Sequence, residues 1–317
     1  MASSSPDAST AALFVRALRK YYGQVRAVDG LDLVVPRGEC FGLLGPNGAG
    51  KTTAIEICEG LLPADSGDVV VLGLRWEHDE RLLRQRLGIQ LQNTQLAEKL
   101  TVEETVRLFR SFYASGRSVD EVIAVVQLGE KRDARVGKLS GGQKQRLALA
   151  CSIVGDPELL FLDEPTTGLD PQSRRQLWDL ISEFKAMGRT IVLTTHYMDE
   201  AEMLCDRVAV IDHGRVIALG TPRELIASLG AEHVVEFALT NGSSAIDGAS
   251  LRGITGVRAA RPLAGGYELQ VGDLHRTVPA LLNMVSSKGL ELSELRTHSA
   301  TLEDVFVALT GRQLRDE

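Results

Sequence analysis

Apolar and polar residues alternate from Ala12 onward, through Phe14-Val15-Arg16-Ala17-Leu18 and again through Leu31-Asp32-Leu33-Val34-Val35. A period of two predicts half-buried strands. The next run, Cys40-Phe41-Gly42-Leu43-Leu44, is apolar throughout, as a strand buried on both faces requires. It enters a glycine-rich turn, after which residues 52–61 take the spacing of a helix stopped near Gly60 and Pro63. Helical spacing also covers 76–90 and 101–128, where Val102, Val106 and Phe109, then Val122, Val125 and Val126, lie opposite charged positions. Buried strands return at 159–162 and 190–194, with a helix over 172–187 between them. The alternation predicts an α/β fold.

Around Leu229-Gly230 the punctuation changes and a second series begins. Strands are expected at 234–239 and 267–271, a helix at 275–286, and a last helix at 301–309 opened by Thr301 with Glu303 and Asp304 in its first turn. The expected domains are a disordered start (1–11), a first domain (12–230) with a mostly helical insert at about 93–138, and a second domain (231–317). The glycine- and serine-rich stretch 241–256 reads as a flexible connection.

Composition narrows the function classes. Hydrophobic residues at 44% and charged residues at 24% are those of a folded globular chain. A net charge of -7 argues against a general nucleic-acid binder, which needs a basic stripe. Cys40, Cys58, Cys151 and Cys205 are scattered without metal-ligand spacing and are expected to be reduced core thiols. The first ten residues lack a basic start and an apolar segment, and no apolar run approaches the roughly 20 residues of a membrane span. The chain is therefore expected in the cytosol, meeting any membrane through a partner. In that compartment the acceptor pattern Asn241-Gly242-Ser243 is idle.

Three motifs carry chemistry. Gly45-Pro46-Asn47-Gly48-Ala49-Gly50-Lys51-Thr52 fits a phosphate loop, whose glycines let backbone N–H groups face a polyphosphate at the positive end of a helix. Lys51 would hold the β- and γ-phosphates and Thr52 would ligate Mg²⁺. The strand 159–162 ends in Asp163-Glu164, two carboxylates suited to a hard cation and to an attacking water, although by itself such a pair is equally an ordinary strand end. Between these lies Leu139-Ser140-Gly141-Gly142-Gln143, a second glycine turn at a helix start. One triphosphate does not need two such turns, so the second is expected to serve a nucleotide held by another copy of the chain.

These three motifs together resemble the Walker A, signature and Walker B motifs of ATP-binding cassette (ABC) ATPases. Other marks of that family match in order over residues 12–230. Tyr22, with Tyr21 as an adjacent contender, resembles the aromatic that stacks on adenine. Gln92 resembles the glutamine that links Mg²⁺ to the helical subdomain. Asp170 in Gly168-Leu169-Asp170 resembles the D-loop, and His196 resembles the switch histidine at the γ-phosphate. The other histidines lack such context.

The resemblance implies a P-loop NTPase cassette with a RecA-like core, an antiparallel β subdomain and a helical subdomain, followed by a small α+β domain. It implies an ATPase with Glu164, His196 and Lys51 as catalytic residues. ATP would be bound by Tyr22, Gly45 to Thr53, Gln92, Ser140 to Gln143 and Asp170, and Mg²⁺ by Thr52, Gln92 and Asp163. Two copies are expected to associate head to tail around ATP. The closing segment Thr301-Leu302-Glu303-Asp304-Val305-Phe306 with Leu309-Thr310-Gly311-Arg312 resembles ATPases that serve ABC-2 type exporters of drugs or sodium. An integral membrane permease of that type is the expected partner, docked on the insert at 93–138, with the chain peripheral on the cytoplasmic face. An assembly scaffold for a soluble partner is the alternative. Only 85 or so residues separate the phosphate loop from the signature, too few for the long coiled coil of a DNA-repair ATPase.

Overall fold

The computed structural model describes residues 8–92, 94–240, 246–263 and 265–310. These fall into two compact units that divide between Thr221 and Pro222. In the first, β1 (Leu13–Tyr22) turns at Gly23 and pairs antiparallel with β2 (Val25–Val35). The apolar run is β3 (Cys40–Leu44), and α1 (Lys51–Cys58) follows the glycine turn. β4 (Ser66–Val71) joins the other side of β1 and completes a three-stranded antiparallel sheet.

The helix expected over 76–90 stops early. α2 (Trp76–Arg86) gives way to β5 (Leu87–Gln90), which pairs in parallel with β6 (Leu159–Asp163). A Cβ on Gly88 would overlap the carbonyl oxygen of Ser152, so only glycine lets this edge strand approach its neighbours. Strand pairing overrides the helical spacing here. The insert contains α3 (Val102–Arg110) and α4 (Val119–Val125), each opened by a capping box, Thr101 with Glu104 and Ser118 with Glu121. Both pack against α5 (Gly141–Ile153).

α6 (Pro171–Ala186), β7 (Thr190–Thr195), α7 (Met198–Leu204), β8 (Arg207–Asp212) and β9 (Arg215–Gly220) complete a six-stranded sheet. Its order is β5-β6-β7-β3-β8-β9, parallel except for β9. β3, β6 and β7 are buried along their length, which is why they read as unbroken apolar runs. Phe41, Phe161 and Val192 pack with Ala54, Ile55 and Ile57 of α1. Burial of each large side chain contributes about 1.5–3 kcal/mol. The parallel strands deliver their carboxyl ends to one edge, so the loops after Leu44, Asp163 and Thr195 meet there.

The second unit begins with α8 (Pro222–Ser228), a helix that the sequence boundary near 230 left with the first. β10 (His233–Leu239) follows, then α9 (Gly248–Arg252), β11 (Val257–Leu263), β12 (Gly266–Val271), α10 (Leu274–Ser287), β13 (Leu292–Ser299) and α11 (Leu302–Thr310). The four strands form an antiparallel sheet in the order β11-β12-β10-β13, with Phe237, Leu269, Leu281 and Val285 in its core. Part of the expected flexible stretch is ordered: Asp247 caps α9, and Ile246 and Leu251 are buried. Gly248 and Ser250 belong to that capped helix.

Residues 241–245, with the Asn241-Gly242-Ser243 pattern, lie outside the described residues, as do 1–7 of the expected disordered start, Asn93 of the insert, and Gly311-Arg312 of the closing motif. Ala11, the last residue of that start, is buried. All four cysteines are free and buried. Among the described residues, no helix is long and apolar enough to cross a membrane.

Candidate nucleotide site

The phosphate loop is shaped by what a side chain would strike. Gly50 holds φ +98°, and a Cβ there would overlap the carbonyl oxygen of Ala27. Gly50 is also the residue before α1 and offers no capping side chain, and no acid occupies the helix's first turn. The positive end of α1 is thus left open to an anion. Lys51 is 5% exposed, and its Nζ donates to the carbonyl oxygens of Gly45 (2.8 Å) and Pro46 (3.1 Å). Beside this loop lies a cavity of about 310 Å³ lined by Tyr22, residues 47–53, Gln92 and Glu164, with Val25 and Ala27.

The two tyrosines are separated by geometry. Tyr22 lines the cavity. Tyr21 does not, because its hydroxyl donates to Asp29 Oδ1 at 2.8 Å. Asp29 is also bound by Arg215 at 2.7 Å, and these two hydrogen bonds, that of Arg215 first, hold its carboxyl down to about 2.

Asp163 and Glu164 are both buried, 4% and 7% exposed, but their surroundings differ. Burial raises the Asp163 carboxyl above its usual range, against hydrogen bonds from the hydroxyls of Thr194 and Thr52. Glu164 is lowered, first by its hydrogen bond with His196, whose Nδ1 lies 3.3 Å from Oε2. Gln92 Nε2 and Thr167 Oγ1 donate to the same oxygen, each at 3.1 Å. Three contacts on Oε2 leave Oε1 as the oxygen available to a water. The Glu164 backbone sits at φ +46°, a conformation costly for a residue with a side chain. Its N–H donates to Thr194 Oγ1 at 3.0 Å, which holds it there. Thr194 and Thr167 were not singled out from sequence; a polar residue inside the buried strand β7 was the available signal.

The signature residues are not brought to this cavity. Ser140 to Gln143 line no part of it. Ser140 instead caps α5: its Oγ accepts from Gln143 N at 3.3 Å, and Gln143 Oε1 accepts from Ser140 N at 3.0 Å. The Ser140 hydroxyl keeps its own proton to donate outward. A Cβ on Gly141 would meet nothing within 4 Å, whereas one on Gly142 would lie 2.6 Å from Ser173 Oγ. Asp170 likewise does not line the cavity; it caps α6, its Oδ1 accepting from Gln172 N and Ser173 N at 3.0 Å each. Among the described residues no cluster of three or more His, Cys, Asp or Glu could cage a metal.

Comparison with known proteins identifies the family. Residues 28–167 match the ABC transporter family model. The chain is 39% identical to the Nod factor export ATP-binding protein I of Ralstonia nicotianae, over 97% of this chain and 96% of that protein. It is 41% identical to the daunorubicin/doxorubicin resistance ATP-binding protein DrrA of Streptomyces peucetius, over 97% and 94%. Among solved structures, the ATP-binding subunit of an ABC transporter is similar with a TM-score of 0.63 and 31% identity, over 69% of this chain and 93% of that one. The cbiO1 structure from Clostridium perfringens is similar with a TM-score of 0.62 and 31% identity, over 69% and 91%. With an open phosphate loop, a buried acid pair and near full-length likeness to such proteins, the chain belongs to the ATP-binding, ATP-hydrolysing subunits of the ABC transporter family.

Proposed function

We propose that two copies of the chain close head to tail on ATP and drive a separate ABC-2 type export permease. The observation that supports this is the separation of two half-sites. The cavity at Gly48 to Thr53 lacks Ser140 to Gln143, and Gly141 faces open space, so no contact within the chain asks for a glycine there. A nucleotide approaching from another copy does. Each ATP then lies between one copy's phosphate loop and the Ser140 to Gly142 turn of the other.

In the closed state Lys51 exchanges its bonds to Gly45 and Pro46 for phosphate oxygens, and Tyr22 stacks on the base. Glu164, ionised at neutral pH, orients a water through Oε1 or takes its proton. His196 and Gln92, both bonded to Oε2, are proposed to leave the carboxylate, His196 for the γ-phosphate, while the Gln92 amide oxygen would be free to serve a cation. The residues present fit Mg²⁺: Thr52, Gln92 and the buried Asp163 offer hard oxygens on one side of the loop. Bound there, Mg²⁺ would neutralise charge on the transferring phosphate.

The permease is proposed to dock in an apolar groove of about 320 Å³ lined by Trp76, Phe109, Phe112 and Tyr113 and edged by Arg81 and Arg84. Relatives of similar identity are named for different cargoes, so cargo choice is assigned to the permease. Glu164→Gln tests the core of this reading. ATP, and not ADP, should convert the variant to a stable dimer by light scattering, with turnover down about a thousandfold. A chain that stays monomeric with ATP, yet turns it over at full rate after Ser140 is replaced, would remove the shared site.

A further inference from the structure

We infer that Gln145, which does not line the nucleotide cavity, is a positioning residue that couples the two ATP sites of the dimer. It deepens the proposal above and rests on its head-to-tail arrangement. Gln145 lies one turn into α5, and its Nε2 donates to the carbonyl oxygen of Pro165 at 2.7 Å. Pro165 directly follows Glu164, so its carbonyl lies one residue beyond that left-handed backbone. One end of this bond is therefore fixed to the residue that works on the chain's own ATP. The other end is fixed to the helix whose first residues meet the partner's ATP.

A second contact makes the link stiff. Gly142 abuts Ser173 so closely that a Cβ would lie 2.6 Å from Ser173 Oγ. The Ser173 hydroxyl donates to Asp170 Oδ2 at 2.6 Å, and Asp170 sits six residues beyond Glu164 on the same loop. The signature turn is thus held at two points by the segment running from Glu164 to Ser173. A shift of Glu164 and Pro165 on hydrolysis pulls α5 through Gln145, and pivots it about Gly142, so the Ser140 turn withdraws from the other nucleotide. Coupling of this kind needs a physical element shared by both sites, and this bond is one.

The test uses the full-length chain and measures ATPase rate against ATP concentration for Gln145→Leu, which removes the donor, and Gln145→Lys, which restores one of similar reach. The leucine variant should lose about tenfold in kcat, and its Hill coefficient should fall toward 1. Its affinity for ADP and its Tm should stay those of the parent, and the lysine variant should recover cooperativity. Parental kcat and Hill coefficient in Gln145→Leu would overturn the inference. So would a loss matched by equal loss of ADP affinity, the mark of a merely structural role. The Glu164→Gln dimer assay separates the two levels: if that dimer forms and Gln145→Leu stays cooperative, only this inference falls; if it never forms, the arrangement beneath it falls too.

Discussion

The chain opens two helices with glycine-rich turns, and the two turns are built on opposite terms. The phosphate loop is answered from inside: Gly50 is demanded by Ala27, Lys51 is buried against the loop's own carbonyls, and α1 has no capping side chain. The signature turn is answered from outside: Ser140 and Gln143 cap α5 reciprocally, Ser140 is exposed, and a Cβ on Gly141 would meet nothing within 4 Å. One turn is a socket that folding completes. The other is a finished surface whose glycine has a reason only when something else arrives. Sequence alone places both in one class, because both are glycines before a helix.

Substitutions can break this contrast. The largest effect is expected at Glu59, which ends the phosphate-loop helix with no exposed surface and with neither carboxylate oxygen hydrogen-bonded among the described residues. Burial, with Asp163 and Glu56 nearby, pushes its carboxyl up to about 8. The folded chain therefore keeps a proton that the unfolded chain releases above 4.5, and stability falls as pH rises from there through 8. Glu59→Gln should flatten that fall, which amounts to about 3–5 kcal/mol, in denaturant titrations run across the window. An unchanged slope would deny that α1 is held by a buried acid.

Next comes Lys51→Ala, which should weaken ATP binding by about 3 kcal/mol, roughly a hundredfold, in a fluorescent-nucleotide titration. Equal affinity would take Lys51 out of the socket. The smallest effect sharpens the comparison most. Gly50→Ala should destabilise the nucleotide-free chain by about 1–3 kcal/mol, while Gly141→Ala should leave it within about 0.5 kcal/mol and still slow turnover. Matching losses of stability at the two glycines would mean that both turns are sockets.

Much of the architecture was legible because it is local. An apolar run buried on both faces shows itself residue by residue, so β3, β6 and β7 were found where they lie. The capping residue Thr301 marks a helix start within four positions, whereas the single stretch expected over 101–128 is two helices, each opened by its own cap, Thr101 and Ser118. The strand at Leu87–Gln90 was hidden, since its only warrant is a partner about 70 residues away and a gap at Gly88 that Ser152 fills. Ile246 and Leu251 were hidden in the same way, being apolar residues in a stretch whose glycines and serines suggested slack.

By itself, the order of residues determined that a triphosphate loop, an acid pair and a second glycine turn exist, and in which sequence, because each motif's chemistry is carried by neighbours along the backbone. Tertiary structure alone decided which tyrosine faces the cavity, since Asp29 captures Tyr21 from another strand. It alone turned Gln92, Thr167 and His196 onto one oxygen of Glu164, and set Gln145 against Pro165. The contacts of Gln92, His196 and Gln145 join segments well separated along the chain, and even the nearer ones of Tyr21 and Thr167 depend on how the backbone turns, which no pattern of residues encodes.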